Sequence, residues 1–272
     1  MKSLRMLAAL LLAGTVKEAN SETPLIELDP SGKWQVEYAK SSCIISRAFG
    51  EGNERMLLTL RPAPSSETVR LWVIKPAPAG RGARGKAKVT LSSGFIPEFA
   101  EYASVSSSGM RVTSIDLPRV ALDPLSKGDS ISINAGRWVK VRLRPTGFDK
   151  VMKEVEKCES DLLTSWGFDK AAQTAIATPP KGRLSQFIEA DDYPEFELMH
   201  AISGTVGVRL RIEPDGTVGD CVVLESSGSA GLDKQTCAVA KRRAHYAPAM
   251  SSEGKPLWSF TFERVTWMVV DA

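Results

Sequence analysis

The chain has 272 residues, of which 43% are hydrophobic and 25% are charged, a composition typical of a folded globular protein. At roughly 150 residues per domain, this length predicts two domains. The 35 Lys and Arg residues nearly balance the 32 Asp and Glu residues, and there are only two His residues. This composition indicates no nucleic-acid partner and excludes a multi-histidine metal site. We expect no metal and no cofactor.

The first 21 residues predict a cleavable signal peptide. A short basic start precedes an apolar run of 11 residues, 6–16, which is about half the length that a membrane-spanning helix needs. Ala19 and Ser21 then have the small-residue spacing that a signal peptidase requires. We therefore expect an exported chain that begins near Glu22. The alternative is a membrane-anchored protein whose signal remains uncleaved.

Residues 24–168 predict a β-rich domain that ends in a helix. Apolar and polar residues alternate in several segments, for example from Trp34 to Tyr38, which is typical of half-buried antiparallel strands. From Val151 to Leu162 the apolar residues recur at helical spacing instead. The sequence predicts that Thr146 caps this helix and that Gly167 ends it. No catalytic motif is recognisable in this segment.

Residues 169–188 predict a linker, because Ala, Pro and Thr occur there without a clear period. The remaining 84 residues, 189–272, have a sharper pattern. Two strands flank a turn at 213–216, a helix follows, and a third strand begins at Trp258. The apolar phase of this last strand shifts by one residue after Phe262, which predicts a β-bulge near Glu263 and Arg264.

The order of these three strands follows from their connections. A hairpin makes the first two strands antiparallel, and a helical crossover makes the second and third parallel. The order that satisfies both conditions is 2-1-3, with the third strand at an edge of the sheet. An exposed edge strand rich in aromatic residues is a site for the addition of a partner strand. Alternatively, a helix, the linker or a second copy of the chain covers this edge.

The four cysteines predict two disulfides, since an exported chain with an even number of cysteines is usually oxidised. Four cysteines allow three connectivities. A split into two domains near residue 170 places one pair in each domain, so we predict Cys43–Cys158 and Cys221–Cys237. The alternative is four buried free thiols.

Several short motifs of the last segment have the order and spacing of a known family. They are Tyr193 and Pro194, Gly204 to Ile212, Asp215 to Val218, Ser226 to Gly228, Leu232 and Asp233, Pro248 and Ala249, and Gly254 to Pro256. Over about 80 residues this segment resembles the TonB C-terminal domain. The resemblance implies two helices on a three-stranded antiparallel sheet, in the periplasm of Gram-negative bacteria. It also implies that the domain binds the TonB box of an outer-membrane receptor as an added strand.

The sequence as a whole therefore predicts an α+β, non-enzymatic binding protein of the periplasm. The first domain is β-rich, and the second is a TonB-like module that binds a peptide or protein strand, with self-association as a further outcome. One alternative is an envelope hydrolase whose site lies in the first domain, and another is a structural envelope protein. No catalytic residues are predicted. The predicted partner-binding residues, all on the last strand, are Trp258, Phe260, Phe262, Val265 and Trp267.

Overall fold

The computed structural model of the chain describes residues 25–78, 82–94, 100–107 and 109–269. The predicted signal peptide, residues 1–21, lies outside the described residues. The protein is a mixed α+β structure, as predicted, with one sheet of ten strands and another of three. A pair of two-residue strands completes the strand content of the described part.

The ten-stranded sheet is formed by the first domain. Its strands are β1 (Ile26–Leu28), β2 (Gln35–Tyr38), β3 (Cys43–Phe49), β4 (Met56–Arg61), β5 (Thr68–Pro76), β6 (Ala83–Leu91), β7 (Ala100–Ser107), β8 (Met110–Pro118), β9 (Ile131–Ala135) and β10 (Val139–Leu143). They lie in the order β1-β10-β9-β6-β7-β8-β5-β4-β3-β2. Pro30, just after β1, forms a bridge with Phe49 of β3. The sheet therefore curls into a half-barrel, because one short segment contacts both β10 and β3.

Strand β5 shows how alternation of apolar and polar residues produces a strand of this sheet. In β5, the side chains of Val69, Leu71 and Val73 are fully buried, whereas Arg70 and Trp72 between them are partly exposed. Successive side chains of a strand point to opposite faces, so one face of β5 lines the core and the other faces outward. The outward face of β5 matters below, because the second domain lies near it.

Two helices belong to the first domain, α1 (Leu122–Ser126) and α2 (Phe148–Ser165). The buried face of α2 includes Val151, Val155, Cys158 and Leu162, as the helical spacing predicts. The predicted cap was wrong: α2 begins after Gly147, which has a φ of 73°, and no side chain caps it. The carbonyl oxygen of Thr146 instead accepts hydrogen bonds from Trp34 Nε1 and Arg47.

Both predicted disulfides are confirmed. Cys43 of β3 is bonded to Cys158 of α2, which fastens the helix to the half-barrel. Cys221 is bonded to Cys237 within the second domain. Each domain therefore has one covalent link between a strand and a helix.

The predicted linker makes contacts of its own. It contains a short helix, α3 (Lys170–Ala175), that follows α2. Further along, Thr178 forms a bridge with Met250, and Lys181 forms a bridge with Ala247. This part of the chain therefore lies against the second domain, while the predicted domain boundaries remain a prediction.

The second domain contains the three-stranded sheet. Its elements are α4 (Glu195–Met199), β11 (Gly204–Ile212), β12 (Val218–Glu225), α5 (Ala230–Arg243), β13 (Ala249–Met250), β14 (Pro256–Leu257) and β15 (Ser259–Trp267). The observed order β12-β11-β15 is the predicted order 2-1-3. Both outer strands are antiparallel to β11. One face of this sheet packs against α5, and the other faces the first domain.

Candidate partner-binding site

The edge strand β15 is regular along its whole length. It pairs with β11 in one unbroken antiparallel register, from Gly204 opposite Trp267 to Ile212 opposite Ser259. The predicted bulge near Glu263 and Arg264 was therefore wrong. Both faces of β15 are buried, so apolar residues can occur on either face. They lie on one face in the first half of the strand, at Phe260 and Phe262, and on the other face in the second half, at Val265 and Trp267.

The first group of predicted partner-binding residues lies between the two domains. Phe262 is 1% exposed, and Phe260 is 6% exposed. The ring of Phe260 meets Trp166 edge-to-face at 6.3 Å between centroids, and the ring of Trp258 lies 4.6 Å from that of Phe168. Such aromatic contacts add to the stabilisation from burial. These side chains therefore hold the module against the end of α2.

The second group lies in the core of the module. Val265 and Trp267 are buried on the face that packs against α5. Trp267 Nε1 donates a hydrogen bond of 2.8 Å to Thr236 Oγ1, and the ring of Tyr193 lies edge-on at 5.4 Å. The side chains of both groups are engaged inside the protein, so β15 can offer a partner mainly its backbone edge. Partner binding by these residues stays a prediction.

A charged cluster joins the two domains at Glu225, the last residue of β12. Its carboxylate accepts hydrogen bonds from Arg264 of the same domain, at 2.9 and 3.0 Å, and from Arg61 of the first domain at 2.7 Å. Ser41 of the first domain also donates to it. The two guanidinium groups are largely buried, and they share the single negative charge of Glu225 at the boundary between the domains.

The pKa of Glu225 reflects this environment. Burial by itself would raise the pKa, but the hydrogen bond and charge of Arg264, with Ser41 and Arg61, outweigh burial and lower it to about 2. The close packing also depends on Gly207, opposite Glu225 in the sheet. A Cβ atom at this glycine would lie 2.8 Å from both Glu225 Cβ and Phe262 Cζ, so no larger residue fits without displacing them.

A second carboxyl group at the boundary, that of Glu263, has a raised pKa instead of a lowered one. Glu263 of β15 is 8% exposed. Burial raises its pKa, and the negative charge of Glu67 in the first domain raises it further, to about 8, against the smaller opposing effects of Leu184 N–H and Arg183. Burial and the charge of Glu67 therefore both favour the protonated, uncharged form of Glu263.

An open cleft of about 790 Å³ lies between the domains beside the end of β15. Four residues of the first-domain wall lie opposite one another on four neighbouring strands, in the order Arg84, Ala103, Ser114 and Trp72. The two in the middle, Ala103 and Ser114, are small. Gly204, Thr205 and Thr266 of the module line the other wall. The walls of the cleft also carry charged residues of both signs, including Arg70, Lys86, Glu101 and Asp116.

The described residues contain no cluster suited to a metal ion. Within 25–78, 82–94, 100–107 and 109–269, no group of three or more His, Cys, Asp or Glu residues is placed to hold a metal ion. A smaller cleft of about 440 Å³ in the first domain is lined by Ser, Thr and Asn residues. Its charged lining residues, Lys88 and Arg142, are both cations, so the described lining contains no acid–base pair.

Sequence reasoning missed the Glu225 cluster and the cleft. Arg61 and Glu225 are 164 residues apart and each follows an ordinary strand pattern, so no local signal pairs them. The cleft depends on how the two domains dock, which periodicity within one strand cannot predict. The aromatic residues of β15 did mark a contact surface, and in the structure that surface meets the first domain.

The fold of residues 189–269, with two outer strands antiparallel to a central one and a crossover helix on one face, defines a TonB-like module. The family comparison agrees: residues 189–263 match the model of the Gram-negative bacterial TonB protein C-terminal domain, which confirms the resemblance seen in the sequence. A comparison with curated proteins finds no match. The protein therefore carries a TonB-like C-terminal domain. Among the helices in the part of the chain that the structure describes, none is long and apolar enough to cross a bilayer.

Proposed function

We propose that this protein is a non-enzymatic binding protein of the periplasm that takes an extended segment of a partner protein as an added strand on β15. The observation that carries the proposal is the position of β15 at an edge of the sheet, in a module whose residues 189–263, including the start of β15, match the TonB family. A TonB-box-like segment of an outer-membrane receptor is the partner that the family match favours. Self-association through the same edge is the alternative outcome of the test.

The burial of the β15 side chains supports a backbone mode of binding. An added strand gains affinity from main-chain hydrogen bonds and selectivity from side chains that alternate along the edge. Thr266 is exposed near the open cleft, so the end of an added strand would have space between the domains there. Selectivity would come from this end of β15.

The test uses the full mature chain as bait for a periplasmic fraction, followed by calorimetric titration of the captured protein. Neighbouring residues of a strand direct their N–H groups to opposite edges, and proline removes the N–H group. Of the variants Val265→Pro and Thr266→Pro, one therefore loses a bond to β11 and the other loses an outward donor; Val265→Pro also removes a buried side chain. Circular dichroism identifies the variant that remains folded.

The folded proline variant should bind the captured protein at least tenfold more weakly than the unaltered chain. Replacement of the same residue by Ala is the matched control and should change the affinity less than threefold. An unchanged affinity in the folded proline variant would contradict strand addition at this edge.

A further inference from the structure

The loop between β4 and β5, residues Pro62–Glu67, contacts β15 from both of its faces. Ala63 packs in the same apolar cluster as Phe260 and Phe262, on the face toward the first domain. On the opposite face, Thr261 Oγ1 donates a hydrogen bond of 3.0 Å to the carbonyl oxygen of Ser65. Because β11 occupies the inner edge of β15, this loop must pass around the outer edge.

The loop covers the edge without pairing with it. Its backbone hydrogen bonds go elsewhere: Pro62 O accepts from Cys43 N at 2.9 Å, and Glu67 O accepts from Arg119 N at 2.8 Å. Two of its residues are prolines, which have no N–H group to donate. Within the described residues, no backbone–backbone hydrogen bond joins this loop to β15. A partner strand that pairs with β15 would therefore form backbone hydrogen bonds that the loop does not form.

The charged cluster holds the same part of the first domain in place. Arg61 is the last residue of β4 and directly precedes the loop, and its guanidinium group binds Glu225 of the module. Ser42, on the neighbouring segment, accepts a hydrogen bond of 3.3 Å from Arg264. These bonds cross the domain boundary, so they fix the position of the loop relative to β15.

We infer that Pro62–Glu67 is an intramolecular cap on the outer edge of β15 and that the Glu225 cluster latches it, so a partner strand binds the docked protein more weakly than the protein whose domains have separated. This inference deepens the proposed function, because it rests on β15 being the partner-binding edge. The partner would be an extended polypeptide strand that competes with the loop for this edge.

The test measures amide hydrogen exchange of residues 259–263 in the full mature chain. Arg61→Glu places a second carboxylate beside Glu225 and should open the latch. The matched control is Lys127→Glu, which makes the same change of charge at an exposed residue of the first domain. Lys127 forms a salt bridge with Asp123, four residues earlier. Small-angle X-ray scattering of each variant reports whether the domains separate.

We expect Arg61→Glu to increase both the radius of gyration and the exchange of 259–263, the latter at least tenfold, and Lys127→Glu to change neither. Separation of the domains without faster exchange at 259–263 would overturn the cap. No change in either measurement would overturn the latch and, with it, the inference.

A second variant covers the case in which Arg61→Glu fails to fold. Thr261→Val is close in shape and removes only the hydrogen bond to Ser65, so exchange at 259–263 should increase at least threefold while the scattering curve is unchanged. Exchange equal to that of the unaltered chain would contradict the cap. These readouts need no partner. If they support the cap but the opened protein captures no strand, the proposed function fails and the cap stands.

Discussion

The replacement Glu225→Gln tests the energetic role of the charged cluster. It keeps the size of the side chain but leaves Arg61 and Arg264 without a counter-charge, and their side chains are only 13% and 10% exposed. Removal of one partner of a buried ion pair costs about 3–5 kcal/mol. The lowered pKa of Glu225 agrees in direction, because the folded protein favours the charged carboxylate.

The assay is urea unfolding at pH 7, followed by circular dichroism and by tryptophan fluorescence. We expect Glu225→Gln to lower the free energy of unfolding of the docked protein by about 3 kcal/mol. The control is Glu253→Gln, because the pair of Glu253 with Lys255 is more than 70% exposed on both sides and such pairs contribute at most about 1 kcal/mol. A cost for Glu225→Gln no larger than that of the control would refute the assignment of the cluster as an interdomain latch.

Three further predictions concern pH, the disulfides and the module core. Because the pKa of Glu263 is raised to about 8, the docked state retains a proton that the unfolded state loses near 4.5, so stability should fall between pH 4.5 and 8. This one group changes the free energy of unfolding by at most about 1.4 kcal/mol per pH unit. In Glu263→Gln, the free energy of unfolding measured across this range should no longer show this decrease. Double replacement of Cys43 and Cys158 by Ala should lower the unfolding free energy by about 2 kcal/mol more than the same change at Cys221 and Cys237, since the first disulfide spans 115 residues and the second 16. Equal losses in denaturant titrations would contradict this ranking. Trp267→Phe should cost about 1–3 kcal/mol in the same titration, because it leaves a buried hydroxyl without its donor; a loss below 0.5 kcal/mol, roughly the effect of a neutral surface change, would contradict it.

The sequence predicted most of what depends on local pattern. Alternation predicted the strands of the second domain, and the crossover helix predicted their order. The predicted export, the even cysteine count and the split into two domains together predicted both disulfides. The helical face of α2 was also predictable, because residues 151–162 bury one side. These features follow from periodicity and connection rules that act within short stretches of chain.

Features that depend on docking could not be predicted. A strand buried on two faces shows the same phase shift as a bulged strand, so β15 was assigned a bulge that its register excludes. Thr146 has the residue type of a helix cap, but Trp34 and Arg47 bind its carbonyl oxygen and the helix begins later. Arg61 and Glu225 meet only because the domains meet.

The most direct test of strand addition is photo-crosslinking from the edge of β15 in living cells. A photoreactive amino acid replaces Thr266, the exposed residue of this strand, in the unaltered chain and in the Arg61→Glu background. The same amino acid at Lys127 is the control. We predict that adducts from position 266 map to one contiguous segment of a partner protein and become more abundant when the latch is opened. Adducts that are absent at position 266, or as scattered there as at position 127, would contradict the account.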